Sequence, residues 1–367
     1  MVASGKSTFY QRDENGLVVG YYSPQTGDYV PLERDPREIT IAELRAKGAE
    51  VAGNDDASVY DMGDGVLLWE FHSKQNTITP GLVEIGWEAV RLLEDNDDYV
   101  ALVIGNDGER FSIGAGLDPS ALMSGVEGIE QMVKNLQDLT MALKYASKPV
   151  VVAVHNMALG GGCELVMAGN FVVAHIESYI GLVEIGVGLV PAGGGMKELV
   201  RRLVNPLAQR GADVLPALEK ILQTVATATV SESAKIAQEI GFLSSNDKIV
   251  MNRAHLLGEA KKAALGLAAI YTPQEPELVY ASGRDAHAAL LLGIQGFVEG
   301  NYATEHDAYI ARHLANIMTG GALSEPQWAP QQLFLDLERE AFVDLIQQPK
   351  TQERIMYMLQ NNKPLRN

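Results

Sequence analysis

Short apolar runs alternate with longer segments of helical periodicity through the middle of the chain. VLLWEF (Val66–Phe71), YVALVIG (Tyr99–Gly105), KPVVVAVH (Lys148–His155) and Asn170–His175 are apolar at successive positions and rich in β-branched residues, so each is predicted as a strand covered on both faces. Helices are predicted between them. Thr79 as N-cap and Pro80 at the first helical position open one that runs to about Asn96, and others cover Ile129–Ser147, Gly160–Met167 and Gly194–Val204. Strands separated by helices imply an α/β sheet with helices packed on it. Ahead of this core, Leu17–Tyr22 and DYVPL read as strands joined by the turn Ser23–Gly27. ITIAELRAKG reads as a short helix ending at Gly48, and Gly53–Ser58 is the expected boundary. Beyond Asn205 the spacing is almost wholly helical, and the last long helix carries a stripe of Leu333, Leu337, Ala341 and Phe342. The chain therefore divides into an N-terminal appendage (1–56), an α/β core (57–270) and a helical C-terminal region (271–367).

Charge changes the picture of partners. Among 367 residues, 47 acidic and 29 basic side chains give a net charge of -18. A field of that sign opposes nucleic acid and anionic membranes, whose recognition depends on neutralising phosphates. An anionic cofactor would need a local cluster of cations or helix N-termini. No apolar run reaches the ~20 residues of a membrane span, and the start MVASGKSTFYQRDENG lacks an apolar signal region. The single Cys163 rules out an internal disulfide and fits a reducing cytoplasm.

Some motifs are decoys. Ser4-Gly5-Lys6-Ser7 imitates the end of a phosphate-binding loop but lacks its first glycine and a preceding strand. There is no Gly-x-Gly-x-x-Gly after a strand and no Gly-x-Ser-x-Gly elbow. His306 and His313 have no third partner at a metal-binding spacing, so no metal is expected.

The chemistry concentrates in KPVVVAVHNMALGGGCEL, where a buried strand ends and Gly160-Gly161-Gly162 opens a helix carrying Glu164. Glycines let a ligand approach the backbone, and the first amides of a helix have no internal acceptor. That is what a developing oxyanion requires. Glycines that only permit close packing, with a glutamate favoured by the helix dipole, are the other reading of the same motif. Two more segments bear on the choice. Phe111–Asp118 forms a second small-residue turn at a strand end, able to offer another amide. Glu184 sits in an otherwise apolar run, Leu182–Val190, where a carboxylate must be paired or hold a proton unusually well.

These residues resemble the enoyl-CoA hydratase/isomerase (crotonase) family, over about Val59–Val204 and more weakly to Ala269. The flanks STFYQRDENG and LSEPQWAPQQLFLDLEREAFVDLI resemble the C-terminal half of fused bacterial 3-hydroxyacyl-CoA dehydrogenases. The resemblance implies a crotonase-like ββα spiral core. It also implies a hydratase part without dehydrogenase activity, separately encoded or a fragment, that forms a homo-oligomer or associates with a dehydrogenase domain. It implies oxyanion-hole amides at Ala115 and Gly161, catalytic carboxylates at Glu164 and Glu184, and substrate contacts from Ser73, Lys74, Gly114 and Gly160. Coenzyme A enters as part of the substrate, with no permanently bound cofactor. Two positions depart from the pattern: Gly116, where many members have Asp, and Asp118, where some have a phosphate-binding lysine. That leaves Lys74 and Lys197 as candidates for the coenzyme phosphates.

The implied reaction is addition of water across the 2,3 double bond of a 2-enoyl-CoA in fatty acid β-oxidation. Glu164 would take the proton of water and Glu184 would supply the proton to C2. An isomerase on the same fold and a non-catalytic acyl-CoA-binding or scaffold half are the alternatives. Chain-length preference would fall to a pocket between the Met123–Lys144 region and the C-terminal helices.

Overall fold

The computed structural model describes residues 4–14, 16–33, 35–116 and 125–367. Three strands, β1 (Tyr10–Arg12), β2 (Val18–Ser23) and β3 (Asp28–Pro31), form an antiparallel meander at the N-terminus. The main sheet has seven strands in simple sequential order: β4 (Glu50–Gly53), β5 (Ala57–Asp61), β6 (Val66–Phe71), β7 (Ala101–Gly105), β8 (Val150–Leu159), β9 (Phe171–Gly181) and β10 (Lys248–Val250). The pairs from β4 to β6 are antiparallel, and those from β6 to β10 are parallel. A two-stranded ribbon of β11 (Val279–Ala281) and β12 (Gln327–Ala329) interrupts the C-terminal helices, where sequence periodicity predicted helix almost throughout.

Gly53–Ser58, read as a domain boundary, is the turn of the β4–β5 hairpin. Asn54 closes it, its Oδ1 accepting the amides of Asp56 and Ala57. The chain ahead of that turn therefore supplies an edge strand to the main sheet.

Side-chain alternation divides the sheet's two faces. Leu102 and Ile104 of β7, with Val150, Val152 and Val154 of β8, point into a large core beneath the helices Pro80–Asp95, Gly125–Lys144, Gly161–Ala168 and Gly195–Leu203. Ala101, Val103, Val151 and Ala153 face a smaller core completed by Leu256, Leu257, Ala260 and Ala264 of the helix Leu256–Ala268, with Ile41 and Leu44. Both faces are covered, which is why these strands read as unbroken apolar runs. The Pro80–Asp95 helix starts as the sequence predicts, with Thr79 Oγ1 accepting the Leu82 amide and Pro80 inside the first turn.

One ionic cluster fastens the Gly195–Leu203 helix to the core. Glu198 is buried among Lys144 (3.5 Å), Lys197 (2.9 Å), Arg201 (2.9 Å) and Arg202 (3.4 Å). Burial opposes its ionisation, but those four cations prevail and hold it well below the usual carboxylate range. Lys144 is pulled down to about 7 by its own burial, against the attraction of Glu198. Removing one partner of a buried pair strands the other charge, at a cost of about 3–5 kcal/mol. Glu198→Ala should therefore lower the urea midpoint of unfolding by an amount in that range, and an unchanged midpoint would show that the cluster contributes little.

Candidate active site

Two glycine turns meet where β7 and β8 leave the sheet. The turn after β7 is strapped to the outer end of β8, the Ser112 amide donating to the Met157 carbonyl (3.0 Å) and the Leu159 amide to the Ser112 carbonyl (3.0 Å). On its other side Ile78 pairs with it: the Ile78 amide donates to the Gly114 carbonyl (2.9 Å), and the Gly116 amide donates to Ile78 (3.2 Å). That pairing occupies the groups flanking Ala115 and turns the Ala115 amide the other way. Among the described residues no backbone acceptor engages the amide of Ala115 or of Gly161.

Gly114 and Gly160 are required by the backbone. Gly114 has φ 92°, and a Cβ there would lie 2.7 Å from the Leu159 carbonyl oxygen and 3.3 Å from the Gly161 nitrogen. Gly160 has φ 54° and caps the Gly161–Ala168 helix. With no Cβ at either position, the two turns close on each other until the Ala115 and Gly161 amides share one space. A Cβ on Gly161 would sit 3.7 Å from the Ala115 nitrogen and 3.9 Å from Glu164 Oε2, and one on Gly160 would sit 3.2 Å from Glu184 Oε1. Ile78 Cδ1 would lie 2.8 Å from the same Gly161 Cβ, so the Ile78 side chain closes one side, while Glu164 approaches Gly161 and Glu184 approaches Gly160.

Each carboxylate is held differently. Glu164 lies in the Gly161–Ala168 helix, and its Oε1 accepts the amides of Gly193 (2.7 Å) and Gly195 (2.9 Å), which leaves Oε2 toward Gly161. Burial raises its pKa to about 7, against those two amides and the charge of Lys197. Glu184 begins the 3-10 turn Glu184–Val187. Its Oε2 is buried without a hydrogen-bond partner among the described residues. Burial first, and then the charge of Glu164, push Glu184 well above the ordinary carboxylate range. Of the pair, Glu164 is raised less, since Gly193, Gly195 and the charge of Lys197 oppose its burial, whereas Glu184 meets the added charge of Glu164.

The remaining expected contacts separate. Ser73 is buried, and its hydroxyl donates to the Thr77 carbonyl (2.7 Å), so it shapes the turn before Ile78. Lys74 is exposed in the Lys74–Asn76 turn. Lys197 is not available to coenzyme phosphates: it is 2% exposed and bound to Glu198 and to Gln331 Oε1. Asp118 lies outside the described residues. His306 and His313 engage Thr351 (3.0 Å) and Asp344 (3.1 Å), respectively.

One functional element was missed by periodicity. Glu338 is fully buried on the helix Gln331–Ile346, accepting the amides of Gly194 (2.8 Å) and Lys197 (2.8 Å). The face of that helix turned inward carries Phe334, Leu335, Glu338, Ala341 and Leu345, whereas Leu333, Leu337 and Phe342 of the expected stripe are only partly buried. An acidic residue at helical spacing within Phe334, Leu335, Ala341 and Leu345 was the available signal.

Residues 61–214 match the family model described as enoyl-CoA hydratase/isomerase. Over its whole length the chain is 38% identical to a probable 3-hydroxyacyl-CoA dehydrogenase of Bacillus subtilis, of which it covers 46%. Over 83% of the chain it is 27% identical to a putative fatty acid oxidation complex trifunctional enzyme of Rickettsia felis, covering 39% of that protein. The chain thus spans less than half the length of these curated relatives. Among solved structures it is similar in fold to an enoyl-CoA hydratase/isomerase from Xanthobacter autotrophicus (TM-score 0.56, 17% identity, covering 84% of this chain and 94% of that one). The α/β core is therefore crotonase-like, as its motifs implied.

Gly114→Ala should destabilise the protein by at least the ~1–3 kcal/mol of a strained positive-φ residue, because the methyl would also meet the Leu159 carbonyl. A chemical denaturation midpoint equal to the parent's would contradict the close approach of the two turns.

Proposed function

We propose that the chain, whose residues 61–214 match the enoyl-CoA hydratase/isomerase family, adds water across the 2,3 double bond of 2-enoyl-CoA thioesters. The observation that supports this reading is proximity at two adjacent glycines: the Ala115 nitrogen and Glu164 Oε2 lie near Gly161, and Glu184 Oε1 lies near Gly160. The names of the relatives from Bacillus subtilis and Rickettsia felis support a place in fatty acid oxidation, beside a 3-hydroxyacyl-CoA dehydrogenase.

The thioester carbonyl accepts hydrogen bonds from the amides of Ala115 and Gly161, which polarises the conjugated C3 and stabilises the enolate formed as water adds. An amide donor aimed at a developing oxyanion is worth about 2.7–4 kcal/mol of barrier. Glu164, the readier of the pair to ionise, takes a proton from water as oxygen bonds to C3. Glu184 holds its proton more firmly and delivers it to C2. The product is a 3-hydroxyacyl-CoA, with one water consumed; Glu164 is left protonated and Glu184 ionised, and a proton returns from Glu164 to Glu184 before the next turnover. Coenzyme A enters and leaves as part of the substrate. Exposed Lys74, in the turn Lys74–Asn76, is our candidate for meeting its phosphates.

An apolar cavity beside the C-terminal helices is our candidate for the acyl tail. A cavity of about 350 Å³ lies between Val126 and Ile129 of the Gly125–Lys144 helix and Ile346 and Met356 of the C-terminal helices. Leu136 of the same helix, two turns along from Ile129, reaches the Gly193 position beside Glu164.

Glu164→Gln and Glu184→Gln should each slow crotonyl-CoA hydration by about 10²–10⁴-fold, the usual contribution of an acid or base. Loss of the enoyl-thioester absorbance follows the rate, and a folded double variant with the parent rate would sink the assignment. The pH profile follows from the same pair. Glu164 works as its anion, so the rate should rise through about pH 7. It should fall again at higher pH, where Glu184 loses the proton it donates. A rate that rises monotonically to high pH would contradict the acid role of Glu184.

A further inference from the structure

Four amides at the start of the Gly195–Leu203 helix are taken by two carboxylates that come from elsewhere in the chain. Glu164 Oε1 accepts Gly193 and Gly195, while Glu338 accepts Gly194 on Oε2 and Lys197 on Oε1. The N-cap of this helix is Gly194, with φ 104° and no side chain to cap it. Helix starts are usually capped locally by Ser, Thr, Asp or Asn. Here a glutamate reaches in from a distant helix, is 0% exposed and forms none of the ion pairs among the described residues. Burying a carboxylate on amides alone carries a desolvation cost that local capping would avoid, so its location matters more than its capping.

We propose that Glu338 is a positioning residue for the reaction: by bonding Gly194 and Lys197 it sets the 193–197 turn, so that the alternate amides, Gly193 and Gly195, hold Glu164 Oε1 and aim Oε2 at the substrate. This rests on the hydratase reading of the same site. The C-terminal helices grip the other carboxylate's turn as well. Thr351 Oγ1 donates to the Gly188 carbonyl (2.9 Å), and the Arg354 guanidinium donates to the Ile185 carbonyl (3.4 Å). The region beyond the matched family segment thus supports both catalytic carboxylates.

The charge of Glu338 has a second effect. Burial, and then Glu164, raise it to about 8, against the amides and charge of Lys197. Its field opposes ionisation of Glu184 in turn. The other charged groups on neighbouring elements are engaged elsewhere. Arg339 turns to Glu130 and Gln137, His313 pairs with Asp344, and Arg354 pairs with Asp307. Glu164, Glu184 and Lys197 are therefore the groups that share its field.

The test compares Glu338→Ala and Glu338→Gln in the full chain. Glu338→Ala should lower kcat for crotonyl-CoA by about 10²-fold, the scale of a misplaced catalytic group, with KM little changed. Glu338→Gln keeps the shape and one acceptor, and should recover most of the rate while moving the rising limb of the pH profile to higher pH, because the turn whose amides support the Glu164 anion loses one of its two holds. Titration of ¹³C-carboxyl-labelled glutamates by NMR, with Glu164 assigned by substitution, should show its midpoint raised in Glu338→Gln. That readout needs no turnover, so it decides the proposal even where the parent fails to hydrate crotonyl-CoA and the hydratase reading falls. It also decides where Glu338→Ala does not fold. Parental kcat in a folded Glu338→Ala, or an unmoved Glu164 midpoint in Glu338→Gln, overturns the proposal.

Discussion

Everything at the centre of this molecule depends on keeping carboxylates ionisable without water around them. A buried carboxylate ordinarily stays neutral, because removing its charge from solvent costs several kcal/mol. The Gly195–Leu203 helix offsets part of that cost with its N-terminal amides, given to Glu164 and Glu338 in alternation. Glu184 receives no such support on Oε2 and is pushed well above the ordinary carboxylate range. In the proposed reaction the same residue type serves as base at Glu164 and as acid at Glu184.

The fold exists around that division. The parallel strands β7, β8 and β9 bring two glycine turns and the Glu184 turn to one edge of the sheet. The helix Gly195–Leu203 is then tied through Glu198 to Lys144 and through the Gly194 amide to Glu338. Its first turn cannot shift without disturbing one of these buried charges. Rigidity at the site is therefore electrostatic as much as apolar.

Much of this was legible in the residues. Unbroken apolar runs gave the central strands because helices cover both faces, and Thr79-Pro80 marked its helix start through local capping alone. Gly160-Gly161, Glu164 and Glu184 were readable because glycine and buried acid are out of place in such surroundings. What was not legible depended on distant partners. Gly53–Ser58 has the composition of a linker, yet pairing with β5 makes it a hairpin turn. Lys197 looked free for phosphate, but Glu198 at its side consumes it. Glu338 was hidden because its reason for burial lies at Gly194 and Lys197, far away along the chain.

The central claim is that water is added at this pair of carboxylates. Incubating the protein with crotonyl-CoA in H₂¹⁸O, and separately in D₂O, and weighing the thioester product by mass spectrometry tests it directly. The account predicts a 3-hydroxyacyl-CoA carrying one ¹⁸O at C3 and one deuterium at C2. Deuterium exchange without ¹⁸O, or a thioester unchanged in mass, would contradict it.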